Sequence, residues 1–148
     1  MTRSLANRLP VALLVLASAS FTGCSVFRRE PEQKSITVEL AVSRAEAVRR
    51  TTTAFREEGY PIRPTLTSGL QPESEPFRQG NDAEAVFHAT ISGTSRSSHV
   101  VLTGTYRRLR LRGVVKDDEQ ELKKSDDPVE RALWNRLEQL RIAILQPK

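Results

Sequence analysis

The chain of 148 residues has one cysteine, two histidines, one tryptophan and one methionine. A single cysteine excludes an intrachain disulfide, which exported domains of this size commonly use in even numbers. His88 and His99, with no second cysteine beside them, fall short of the four ligands of a structural zinc site, so no metal and no cofactor is expected. Aromatic residues make up 5% and do not interleave the basic stretches, so a stacking platform for nucleic acid is not expected. No serine sits in a Gly-x-Ser-x-Gly elbow or a Ser-x-x-Lys context. The carboxylate pairs Glu57-Glu58, Asp117-Asp118 and Asp126-Asp127 read as solvated charges or helix caps. The sequence therefore points away from an enzyme, since nucleophilic catalysis needs a nucleophile, a base and an orienting group within reach of one another. Long apolar runs are missing too. The longest, residues 9–19, is well short of the about 20 residues that span a bilayer.

That short run is the most informative feature present. Arg3 and Arg8 give a positive start, residues 9–19 an apolar core, and Phe21-Thr22-Gly23 leads to Cys24. A charged n-region, a short apolar h-region and a small-residue exit mark an export signal, not part of a fold. With cysteine at its end, the segment resembles a bacterial lipoprotein signal; Phe21 stands where that family usually has Leu or another aliphatic residue. The resemblance implies removal of residues 1–23, with Cys24 as first mature residue carrying the acyl chains, palmitate among them. It also implies attachment to the outer membrane, since Ser25 rather than aspartate follows the cysteine. The competing reading is an ordinary signal peptide cut at Ala17-Ser18-Ala19, which leaves a free thiol.

Loss of residues 1–23 leaves 125 residues, one domain's worth. Loss of Arg3 and Arg8 from 23 basic residues, against 18 acidic ones, leaves a charge of +3. Residues 24–34 read as a lipidated N-terminus and tether, and residues 35–148 as a single domain. Residues 35–42 alternate, with Ile36, Val38, Leu40 and Val42 on one side, and predict a half-buried strand. Ser43 with Glu46 forms a capping box for a helix running to about residue 58. Ala45, Val48, Thr52 and Phe55 make its inward stripe, and Gly59 its C-terminal glycine. Residues 60–66, carrying Pro61 and Pro64, predict an edge strand or an irregular one. Residues 68–82 read as a long polar loop. Residues 84–92 and 99–106 predict an antiparallel hairpin that places His88 and His99 roughly opposite each other, and residues 107–115 continue extended. Residues 116–126 are a charged connection. Asp127 and Pro128 cap a last helix with Val129, Leu133, Leu137, Leu140 and Ile144 on one face and Trp134 at its flank.

The fold expected is α+β, an antiparallel sheet of four to five strands with two helices on one face. This element order, together with Phe55-Arg56-Glu57-Glu58-Gly59-Tyr60-Pro61-Ile62, resembles helix-grip domains of lipoproteins attached to the outer-membrane barrel-assembly machine. The recognition residues expected are Arg108, Arg110 and Arg112, projecting from one face with Leu109 and Leu111 turned inward. Arginine forks suit phosphate and carboxylate groups, so anionic head groups or an acidic envelope protein are the partners expected. The alternative for these arginines is a solvated face that protects a strand edge. The function expected is a lipid-anchored, non-catalytic binding or structural accessory of the cell envelope, facing the periplasm. Two alternatives stand beside it: a small-ligand binder with a cavity between sheet and last helix, residues 68–82 acting as lid, and an enzyme of unknown type.

Overall fold

Alternation in the middle of the chain builds the sheet. The computed structural model describes residues 32–63, 71–109 and 118–146. The signal segment, Cys24, residues 25–31 of the tether, residues 64–70, Arg110, Leu111 and Arg112 lie outside the described residues. Strands β3 (Ala83–Gly93) and β4 (Ser98–Arg108) form an antiparallel hairpin in register along their full length. Ala83, Ala85, Phe87, Ala89 and Ile91 face inward with Ser98, Val100, Leu102, Gly104 and Tyr106. Strand β1 (Ile36–Leu40) pairs with the first half of β4 and buries Ile36, Val38 and Leu40 on the same side. The two-residue β5 (Gln120–Glu121) pairs with Thr105 and Tyr106. Since β3 occupies the other edge of β4, β1 and β5 lie end to end along one edge.

Helix α1 (Arg44–Glu57) and helix α2 (Pro128–Leu145) cover the inner face. The α+β fold with five antiparallel strands and two helices is as expected. Helix α2 buries Leu133, Leu137, Leu140 and Ile144, as its sequence stripe predicts, with Val129 half-buried and the flanking Trp134 also drawn into the core. Helix α1 is rotated. Its buried side chains are Ala47, Thr51, Ala54 and Phe55, while Ala45 is exposed. Phe55 is buried as expected and Val48 packs half-buried at the core's margin, but the centre of the buried face lies about one position, or 100° of helix, from the expected stripe. The small side chains of Ala47 and Ala54 are the ones presented to the core. The capping box is half-formed: Glu46 N–H donates to Ser43 Oγ at 3.3 Å, but the Glu46 carboxylate accepts from Arg49 and Arg50 instead of returning to Ser43. At the other end Gly59, with φ of 81°, closes a Schellman motif. Gly59 N–H donates to Arg56 O, and Tyr60 N–H to Phe55 O at 2.8 Å.

Two stretches read as loops contain strand. Within residues 68–82, Ser74 N–H donates to Phe87 O, Ser74 Oγ accepts from Phe87 N–H, and β2 (Phe77–Gln79) pairs with residues 83–85 of β3. Its polar composition conceals this because an edge strand buries little. Ile62 forms an isolated bridge to Ser74, so the described part of the Pro61 segment is an irregular edge and not a strand. In the charged connection, Leu122 is buried, its N–H donating to Gly104 O at 2.8 Å. Beyond α1, Tyr60, Phe77 and Phe87 meet with ring centroids 4.8–5.2 Å apart, and the Arg136 guanidinium lies 5.7 Å over Phe77.

Candidate functional site

The strand parity that buries Leu102 and Tyr106 also decides where the arginines go. Arg108 follows Tyr106 on the helix side of β4, opposite in sense to the expected alternation. Its Nη2 donates to Asp127 Oδ2 at 2.7 Å. Arg107 takes the other side and donates to Glu84 at 2.5 Å. Leu109 is largely buried, but outside the main core, with its N–H on Asp82 O.

Asp127 is the N-cap of α2. Its Oδ1 accepts from Val129 N–H and Glu130 N–H at 3.0 and 3.1 Å. The Arg108 guanidinium, and then the Glu130 amide, hold its carboxyl below the usual carboxylate range. One turn on, Glu130 is only 6% exposed. Tyr106 Oη donates to it at 2.6 Å, and Ser125 Oγ donates to its other oxygen. Burial, reinforced by the Glu130 bond, pushes the Tyr106 phenol up to about 12. The phenol is thus kept neutral as a donor. Tyr106, Arg108, Ser125, Asp127 and Glu130 form one polar knot that ties the end of β4 to the start of α2. Sequence reasoning finds its Asp127 from Asp-Pro spacing. It misses Glu130 and Ser125, because an acidic residue beside a charged connection gives no signal of burial.

The histidines do not meet. Register places His88 opposite Thr103 and His99 opposite Ser92. His88 Nδ1 lies 3.2 Å from Glu73 Oε2 and His99 Nδ1 3.9 Å from Glu39 Oε1. Among the described residues, no group of three or more histidine, cysteine or acidic side chains is arranged to hold a metal ion. His88, Glu73, Arg63, Glu84, Thr105 and Arg107 line a polar groove of about 140 Å³ on the outer face of the sheet. Two ion pairs, Arg63–Glu73 and Arg107–Glu84, form its walls.

Two wider grooves lie at the ends of α2. One, of about 370 Å³, runs between Glu57, Glu58, Gln139, Ile142, Ala143 and Gln146. Ile142 and Leu145, 48% and 42% exposed, are the large apolar side chains at that end. The other, of about 430 Å³, is lined by Lys124, Ser125, Asp126, Arg131, Trp134 and Asn135. It adjoins the point where the chain enters the domain. Lys124 N–H donates to Gln33 O at 2.8 Å, Lys123 Nζ to Glu32 at 3.0 Å, and Lys34 Nζ to Glu121 at 2.8 Å. The part of residues 68–82 that is described lies fastened along β3, with Phe77 packed beneath Arg136 of α2. Among the described residues, no helix is long and apolar enough to cross a membrane.

No protein-family model matches the chain, and no curated protein gives a significant sequence match.

Proposed function

We propose that the chain is a lipid-anchored protein of the cell envelope, held at the outer membrane by acyl chains on Cys24 and facing the periplasm as a non-catalytic binding or structural accessory. The observation that carries this reading is the order of the first 24 residues: Arg3 and Arg8, the apolar run 9–19, and the small-residue exit to Cys24. The domain fits a place after such a signal. Its core is drawn from residues 36–144, without need of a disulfide. From Cys24 to Glu32 are eight residue steps, at most about 29 Å of extended chain, so an anchored domain stays beside its bilayer. The exposed Ile142 and Leu145 support a binding role, as paired surface apolar side chains suit contact with another molecule.

The test is mass spectrometry of chain isolated from membranes. A mature form beginning at Cys24, with a diacylglyceryl thioether and an acylated amine, is the expected result. Cys24→Ser should abolish both lipid and cleavage at that position, because it removes the sulfur that forms the thioether, and should release the chain from membranes, since stable anchoring takes two or more acyl chains. Mature protein with an unmodified Cys24, or with its N-terminus at Ser20, overturns the reading.

A further inference from the structure

The groove at the start of α2 has a chemistry that the polar knot behind it does not use. Around it the cations are mostly spent: Lys34 on Glu121, Lys123 on Glu32, Arg108 on Asp127. Lys124 and Arg131 are exposed and, among the described residues, have no ion-pair partner. They flank a floor formed by Trp134, the chain's single tryptophan, 4% exposed. Asp126 lines the same groove, which leaves it a net charge of one positive. Two exposed cations at the rim of a groove are attracted to an anionic lipid surface, while the indole stays buried beneath them. The groove is also fixed to the incoming chain, since Lys124 N–H is bonded to Gln33 O.

We propose that this groove is a docking face for anionic lipid head groups, with Lys124 and Arg131 binding their phosphates and the mouth of the groove at the start of α2 turned to the bilayer. It rests on the lipid-anchor reading for what brings the bilayer near. Tethering raises the effective concentration of the surface, so two cations suffice where they would not hold a free protein. At about 1 kcal/mol per cation near an anionic surface, the two shift the docked-to-undocked ratio about 30-fold. Arg108, expected from the sequence to face such a surface, is instead committed to Asp127.

The test supplies the tether chemically, so that it does not depend on lipidation in the cell. A chain of residues 24–148 retains the whole core, drawn from residues 36–144, and Cys24 is its single thiol. It is coupled through Cys24 to a maleimide lipid in vesicles of phosphatidylcholine, with or without phosphatidylglycerol, each carrying brominated acyl chains. These quench indole fluorescence only at short range, and Trp134 is the single reporter. The expected result is strong quenching on anionic vesicles, little on neutral ones, and loss of the difference in high salt. Lys124→Glu with Arg131→Glu should abolish it with an unchanged melting curve. Asp126→Asn should strengthen it, again with an unchanged melting curve. Equal quenching on both vesicles means apolar contact alone, and no quenching on either leaves the groove to a partner other than lipid; both overturn the proposal. An unmodified Cys24 in cells would overturn the anchor reading while leaving this result standing.

Discussion

Thr51 faces the core of α1 with its hydroxyl fully buried and unpartnered among the described residues. An unpaired buried polar group costs about 1–3 kcal/mol. Thr51→Val keeps the shape and the β-branch while removing the hydroxyl. It should stabilise the domain by about 1 kcal/mol in urea melts, and a loss would mean the hydroxyl has a partner after all. Tyr106 presents the opposite case. Its hydroxyl satisfies Glu130, a carboxylate that burial would otherwise penalise, and also reaches Gln120 at 3.1 Å. Tyr106→Phe should therefore cost about 1–3 kcal/mol, although it removes one atom. Restoring the balance by Glu130→Gln in the same chain should recover part of that loss, a coupling that a double-mutant cycle reads directly.

At the scale of elements, α2 gives Leu133, Trp134, Leu137, Leu140 and Ile144 to the core. Leu137 is fully buried midway along it, so Leu137→Ala should cost about 2–5 kcal/mol in thermal or urea melts. A loss below about half a kcal/mol would place the stripe away from the sheet. Gly59→Ala is a contained test of α1, since the positive φ costs an L-residue about 1–2 kcal/mol with nothing nearby to clash. These elements differ in how far their sequences disclose them. The β3–β4 hairpin is legible because apolar and polar residues alternate for eleven positions and any slip would turn the set outward. The α2 stripe and its Asp-Pro cap are legible for the same reason of length. Strands β2 and β5 are not, being three and two residues long and held by backbone pairing to β3 and β4. The face of α1 is ambiguous in sequence because Thr51, Thr52 and Thr53 are chemically alike and only packing chooses among them. The side taken by Arg108 follows from a register anchored six residues earlier, at Leu102. The groove of Lys124, Arg131 and Trp134 is illegible because a connection and a helix combine to form it.

For the whole molecule, charge sets a pH window for stability. Among the described residues, three carboxyls lie below their usual range in the fold: Glu46 at about 2 through Arg49 and Arg50, Asp127 through Arg108, and Glu121 through Lys34. Groups lowered in this way stabilise fully above their unfolded values and lose that contribution as pH falls through the folded ones. Tyr106, raised to about 12, and Tyr60, raised chiefly by burial, act in reverse. Their contribution is complete below the unfolded value of about 10 and disappears as pH rises further. The melting temperature should hence be level from about pH 5 to 9 and fall on both sides. Salt separates the causes. Lys34 and Lys123 are also raised, by Glu121 and Glu32, but these pairs are exposed and fade as ions screen them. The buried bond from Tyr106 to Glu130 is screened far less. In high salt the acid limb should flatten while the alkaline limb persists, and Tyr106→Phe should then reduce the alkaline limb to what Tyr60 supplies. Differential scanning calorimetry across pH at two salt concentrations reads this. An alkaline limb that salt removes, or that Tyr106→Phe leaves unchanged, would show that surface lysines rather than the Tyr106–Glu130 bond set the upper limit.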